Sequence, residues 1–486
     1  MRPSTDAASS SWTVPVPVRR SRFAAMDPVH DAYNVETDLA AIGAFSLDPD
    51  RVIPDLLYAD LQTLPRWNGW RRLGSGRAGI LGDAYLKGVG RTSLAANWSD
   101  PEDRYHNSGH MLPSAAVREY LSSRALEEMG LGATLCPCTG LLAAPLDRPA
   151  DRFLDAMIPE SAGRFASIDR HLQAITVKPA DFARLSNFTW GLDHLDMPSD
   201  LASLLFRMHT FLSPPDRRPR LASATSPEAL AATLAAAVER GIANFGHYLR
   251  AGVFWGSLSN NVTADGRFLD LEVPMVLLRP FLGIFVEGPR LGFGLNWIGL
   301  EVYLYVLELR GFCALLRERF AFLAKHILTR GVARDFVDEL LRALDRNLPP
   351  EHLLWSGARL VDAATASIAD ALGLDRARTT SVRTIAERQY QAVFEGADPD
   401  WSDLDMRRLE LDLAPSEPGH ARWCAYPHFL EGVCNDRLQA GALFNDRLRW
   451  IEASRDIDEL FERVRTTTDE LRGALATARA AAGGAS

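Results

Sequence analysis

Two hydrophobic patterns divide the chain. Before about residue 150 the apolar positions fall in short pieces broken by glycine and proline, and after it they recur mainly at helical spacing. Helical periods run over 150–173, 199–212, 226–250, 294–328, 333–346, 357–373, 380–395 and 453–480. One earlier helix is predicted from Ser114, read as its N-cap, with Ala115, Val117, Leu121, Ala125 and Leu126 on one stripe and Gly130 at its end. The glycine-separated pieces of 73–93 predict antiparallel strands joined by tight turns. A second strand pair is predicted over 131–145, and short strands and turns over 251–274. Residues 27–72 mix short helical and loop signals, punctuated by Pro54 and Pro65, and 95–113 read as a polar loop. The expected organisation is a disordered tail at 1–26, a strand-rich N-lobe at 27–150, a helical C-lobe at 151–452, and a C-terminal helix and tail at 453–486. No internal repeat is visible.

Composition narrows the classes. Of 486 residues, 47% are apolar and 24% charged, which excludes wholesale disorder, a collagen and a disulfide scaffold. The net charge of −9 leaves no general basic surface, so a nucleic-acid partner is not expected. Five cysteines, an odd number in a long chain, point to a reducing compartment, and a cytoplasmic location is expected. Cys136-Pro-Cys138 has one residue between its thiols, not the two usual for zinc, and reads as two small apolar residues at the start of a buried strand. The first 25 residues lack the apolar core of a secretory signal, and Met26 offers an alternative start. The most apolar region, 273–316, is interrupted by Arg279, Pro280, Glu287, Pro289, Glu301, Glu308 and Arg310, so buried helices are expected there and no membrane span.

Two constellations carry chemistry. In the first, Gly74-Ser75-Gly76-Arg77 precedes Lys87 on the next strand. Glycines let a backbone approach phosphate oxygens, Arg77 adds a planar cationic fork, and Lys87 adds a point charge. Glu119, on the helix that follows, is the candidate to orient that lysine. A plain hairpin with a surface lysine would share this pattern. In the second, Asn260-Asn261 leads through a hairpin turning at Asp265-Gly266 to Asp270. An asparagine and an aspartate are hard oxygen donors that suit Mg2+ alongside phosphates and water. A hairpin with a solvent-facing Asp270 is the plainer alternative. A small strand-rich lobe with one helix before a large helical lobe is the layout of two-lobed α+β folds of the protein-kinase type.

The run Leu73-Gly74-Ser75-Gly76-Arg77-Ala78, then Tyr85-Leu86-Lys87-Gly88-Val89-Gly90-Arg91-Thr92, Val117-Arg118-Glu119-Tyr120-Leu121 and Met129-Gly130, resembles the selenoprotein O family. These are kinase-fold proteins that bind ATP in an inverted pose and transfer AMP to protein hydroxyls. The resemblance covers about 60–140, and more weakly 176–190 and 251–274. It implies that Gly74, Gly76 and Arg77 contact phosphates, that Lys87 is the nucleotide lysine and that Glu119 is its helix partner. It further implies nucleotide contacts at Gly109 and, allowing a one-residue insertion, Arg184, with Asn261 and Asp270 as metal ligands.

The departures are informative. The family's catalytic-base aspartate is here Asn260, and an amide cannot accept a proton as a carboxylate does. Its second-loop aspartate is Ser108, an arginine is Thr176, the histidine opening the catalytic loop is Trp255, and Asp-Tyr-Gly is Asp270-Leu271-Glu272. The expectation is an ATP- and Mg2+-dependent nucleotidyltransferase acting on a protein or a small-molecule acceptor, with the catalytic position held by Asn260. Two alternatives stand beside it: a nucleotide-binding interaction module without turnover, and a phosphotransferase or ligase acting on a small metabolite.

Overall fold

A computed structural model describes residues 13–18, 24–26, 57–62, 78–81, 84–88, 111–145, 166–184, 188, 205, 208–218, 226–250, 253–255, 261–271, 274–276, 314, 316–318, 321–322, 332–347 and 442–483. Nine strands form two antiparallel sheets among these residues. They are β1 (Thr13–Val18), β2 (Ala24–Ala25), β3 (Leu57–Gln62), β4 (Ala78–Leu81), β5 (Ala84–Lys87), β6 (Gly140–Pro145), β7 (Leu172–Pro179), β8 (Val253–Trp255) and β9 (Pro274–Val276). The larger sheet runs β1-β3-β4-β5-β7-β6-β2, and β8 pairs with β9. The helices with defined bounds among the described residues are α1 (Pro113–Leu126), α2 (Ser167–His171), α3 (Pro227–Arg250), α4 (Val332–Asn347), α5 (Ala442–Glu452) and α6 (Ile457–Gly483). The protein is therefore mixed α and β around an antiparallel sheet.

β4 and β5 form the hairpin expected from the glycine-separated pieces, with Gly79 opposite Leu86 and Leu81 opposite Ala84. β1 and β2 lie inside the segment expected to be a disordered tail. Pro15 and Pro17 fit there because β1 is an edge strand, where a missing N–H removes no ladder bond on its outer side. Over 131–145, one strand forms where two were expected. Gly132–Thr134 makes a single 3-10 turn, Pro137 lacks a ladder donor, and only β6 remains. The helical period of 150–173 also fails at its end, where Leu172 begins β7. Ile175, Thr176 and Val177 are β-branched, and Pro179 cannot continue a helix.

α1 packs against β6 and β7 and also against α6. Val117, Leu121 and Leu126 of the expected stripe are fully buried, each contributing about 1.5–3 kcal/mol. Ser114 is not the N-cap. The N-cap is Leu112, two residues earlier, and the helix starts at Pro113, whose missing N–H would be unpaired in a first turn anyway. Asp169 of α2 does the capping from outside: its carboxylate accepts the Ser114 amide and the Ser114 hydroxyl, both at 2.8 Å. At the other end the chain widens into a π turn over Glu127–Leu131, where Gly130 takes φ 83°, a left-handed conformation suited to a helix stop.

α3 begins where its period starts, with the Ser226 hydroxyl accepting the Ala229 amide at 3.1 Å. It packs against α4; Leu230, Leu234, Ala237, Val238 and Phe245 of α3 and Val337, Leu340 and Leu344 of α4 are all buried. The C-terminal period of 453–480 is α6, which starts at Ile457 because Asp456 caps it by accepting the Glu459 amide at 2.9 Å, and α5 precedes it as a separate helix. The helices expected over 357–373 and 380–395 lie outside the described residues. So do residues 95–110 of the polar loop expected over 95–113, whose last residue, Pro113, instead opens α1.

Candidate anion and metal site

The site is built on the pairing of β5 with β7. Lys87, the last residue of β5, stands directly opposite Thr176, and Tyr85 stands opposite Lys178. Side chains two residues apart on a strand share a face, as do directly opposed residues on paired strands. Lys87, Thr176 and Lys178 therefore project together, and Glu119 of α1 meets all three. The Thr176 hydroxyl donates to Glu119 Oε2 at 3.1 Å, Lys178 pairs directly with Oε1, and Lys87 reaches Oε2 at 3.5 Å.

The chain can leave β5 here because of Gly88. Its φ is 105°, and a Cβ at this residue would lie 2.6 Å from the Ala174 carbonyl oxygen and 2.8 Å from Met111 Cβ. Only glycine permits both the angle and the approach. Met111 thereby bridges Ala174, and α1 starts beside the sheet two residues later.

Asp270 arrives on a separate support. The turn expected at Asp265-Gly266 forms, with Gly266 at φ 84° and its amide donating to the Thr263 carbonyl at 2.9 Å. Three segments hold this hairpin. The Ala264 amide donates to Ala183 at 2.7 Å, and the Phe268 amide to Thr134 at 2.9 Å. From α3, Arg240 and Asn244 donate to the carbonyls of Asp265 and Gly266 at 2.7 and 2.8 Å. Arg267 ties the hairpin to Asp181 by a salt bridge of 3.2 Å and to Asp265 by one of 2.9 Å. Leu269 is buried with Tyr85, Phe182, Cys136 and Ala78. Asp270 follows at φ 52°, unusual for a residue with a side chain and frequent at functional positions.

There Asp270 meets Lys87 at 2.7 Å, Arg184 at 2.9 Å and Lys178 at 3.8 Å. Residues 183 positions apart thus close one ion-paired cluster. Burial by itself raises both carboxyls. The facing Lys178 and Lys87 outweigh it at Glu119, and Lys87, Arg184 and Lys178 hold Asp270 well below the usual carboxylate range. Burial likewise lowers Lys178, but Glu119 more than reverses it and its ammonium titrates above the ordinary value. The cluster has a depth gradient. The Glu119 and Lys178 side chains are 0% and 1% exposed, whereas Asp270 and Arg184 are 15% and 32% exposed and mark the open side.

Of the residues singled out in the sequence, Lys87, Glu119, Arg184 and Asp270 are brought together. Asn261 lies at the start of the hairpin, buried, its carbonyl accepting the Leu269 amide at 2.7 Å. Asp270 is not the solvent-facing residue of a plain hairpin. Gly74, Gly76, Arg77, Ser108, Gly109 and Asn260 lie outside the described residues. Lys178 was missed, although Thr176-Val177-Lys178-Pro179 carries a signal: strand alternation puts Lys178 on the face of Thr176. Cys136 and Cys138 are buried, and burial pushes both thiols up to about 12. Among the described residues no group of three His, Cys, Asp or Glu side chains is placed to hold a metal ion. No described helix is long and apolar enough to cross a membrane.

Comparison with protein-family models and with curated protein sequences finds no match for this chain.

Proposed function

We propose that the chain is an ATP- and Mg2+-dependent nucleotidyltransferase on a two-lobed, kinase-like scaffold, transferring AMP to a hydroxyl of a protein or of a small acceptor. The observation that carries this reading is the convergence of Lys87, Glu119, Arg184 and Asp270. A strand lysine, a helix glutamate and an aspartate after a hairpin meet in one partly open cluster.

The residues fit a metal only in company with phosphate. Asp270 faces three cations, so a bare divalent ion would meet net repulsion. A polyphosphate changes that balance by drawing Lys87 and Arg184 onto its own oxygens. Asp270 and the Asn261 amide would then hold Mg2+, which usually keeps one or two protein oxygens and takes the rest from phosphates and water. When bound, the ion neutralises charge developing on the transferred and leaving groups.

The chain's own residues bind and orient. Arg184 offers a planar fork suited to phosphate oxygens, and Lys87 offers a point charge beside it. The acceptor oxygen bonds to the α-phosphorus, the bond from that phosphorus to the bridging oxygen breaks, and pyrophosphate leaves. The hydroxyl proton passes to solvent water, because the base position is the amide of Asn260. Base catalysis supplies roughly 10²–10⁴-fold, and positioning with electrostatic stabilisation can carry the remainder.

One observation favours a second reading, a nucleotide-binding module without turnover: Lys87 and Asp270 close directly on each other at 2.7 Å. Incubation with ATP labelled separately at the α and γ phosphates tests both. Incorporation from the α label supports nucleotidyl transfer. Incorporation from the γ label overturns it in favour of phosphotransfer, and retention of ATP without incorporation supports the binding module.

A further inference from the structure

The cluster holds two buried lysines where one glutamate needs one partner, and the two divide the carboxylates unequally. Lys178 contacts Glu119 Oε1 directly and stands 3.8 Å from Asp270. Lys87 does the reverse, at 2.7 Å from Asp270 and 3.5 Å from Glu119. A separation of 3.5 Å is at the limit of hydrogen bonding, whereas 2.7 Å is a short charge-assisted contact. Glu119 also accepts the Thr176 hydroxyl on the oxygen that Lys87 approaches. The inner pair of Lys178 and Glu119 is charge-balanced and sealed. The outer group of Lys87, Asp270 and Arg184 carries one net positive charge and faces the open side.

We propose that Lys178 is the resident counter-ion of Glu119, and that it acts as a positioning residue by keeping the Lys87 ammonium directed to the outer group, where a polyanionic ligand binds. The role follows from burial. A buried carboxylate stays ionised only where cations or several hydrogen-bond donors face it, as Lys178 and Thr176 face Glu119, and a buried charge that loses its partner is strongly destabilising. Without Lys178, the lysine left at Glu119 among the described residues is Lys87. Glu119 would then draw Lys87 inward, away from Asp270 and from phosphate. Lys178 itself, 1% exposed, lies too deep to serve as the ligand's first contact.

This inference rests on the nucleotide-binding reading for its ligand, but the ion-pair arrangement can be tested without one. The full chain is prepared as wild type, Lys178→Met, Lys87→Met, Glu119→Gln and the two doubles with Glu119→Gln. The first readout is the denaturation midpoint without nucleotide. Lys178→Met lowers it, and Glu119→Gln in that background restores much of the loss, whereas Glu119→Gln gives little recovery to Lys87→Met. The second readout is calorimetric affinity for ATP with Mg2+. Lys178→Met weakens it by about tenfold or more, Lys178→Met with Glu119→Gln regains it, and Lys87→Met with Glu119→Gln does not.

If Lys178→Met alone does not fold, the double variant decides. Recovery of fold and ATP affinity in that double supports the inference, and a double as defective as the single overturns it. Equal or stronger stability coupling of Glu119 to Lys87 than to Lys178 also overturns it. Absence of ATP binding by wild type overturns the nucleotide reading instead and leaves the stability cycle to decide the pairing.

Discussion

Replacing Gly88 by alanine probes the hinge that sets Lys87 beside α1. The perturbation has two parts. A side chain at φ 105° is strained, by roughly 1–2 kcal/mol on the left-handed scale. The added methyl would also lie 2.6 Å from the Ala174 carbonyl oxygen and 2.8 Å from Met111 Cβ. Ala174 is held on both sides, paired with Ala143 of β6 and bridged to Met111, so its carbonyl cannot swing away cheaply. Forcing a methyl into a packed site costs about 1–3 kcal/mol more, giving roughly 2–5 kcal/mol in all. Gly130 supplies the control. It sits at φ 83°, but a methyl there meets nothing within 4 Å, so Gly130→Ala carries the strain and no clash. The assay is equilibrium urea unfolding by far-ultraviolet circular dichroism, with amide exchange along the ladder of β5 and β7 as the local readout. Gly88→Ala should cost more than Gly130→Ala and should loosen that ladder selectively. Equal costs for the two variants, with exchange in β5 and β7 unchanged, would refute the reasoning.

Two other outcomes follow from the same geometry. Gly266→Ala places a methyl 2.6 Å from the Gly241 amide nitrogen of α3 at φ 84°, so it should lower the denaturation midpoint and disturb the hairpin bearing Asp270; a variant with wild-type midpoint and wild-type exchange at Leu269 would count against it. Cys136 and Cys138, buried with thiols raised to about 12, should resist alkylation at pH 8 in the folded protein and react in denaturant; peptide mapping that finds native labelling at either thiol would contradict their burial.

What could be read from the sequence was whatever local physics decides. Glycines around a short apolar run marked the hairpin of β4 and β5, and Asp265-Gly266 marked the turn before Asp270, where Gly266 takes a positive φ that leaves few residue choices. Helical periodicity located α1, α3, α4 and α6. The errors were long-range in origin. Ser114 reads as a cap by type, but its partner Asp169 lies 55 positions away. Lys178 reads as an ordinary lysine before a proline until β5 and β7 pair and α1 lays Glu119 over them. A period of two within Ala174–Val177 competes with a helical reading of the preceding segment, and only pairing with β5 and β6 decides it. The strands β1 and β2 fall in a proline-rich stretch that finds its place at the two ends of a long sheet.

The central claim is that Asp270 and the cations around it form a Mg2+-dependent nucleotide site. Calorimetric titration of ATP into wild type and Asp270→Ala, each in Mg2+ and in EDTA, tests it most directly. The account predicts that wild type binds ATP more tightly in Mg2+ than in EDTA and that Asp270→Ala abolishes this difference. A Mg2+ effect that persists undiminished in Asp270→Ala, or no binding of ATP by wild type under either condition, would contradict it.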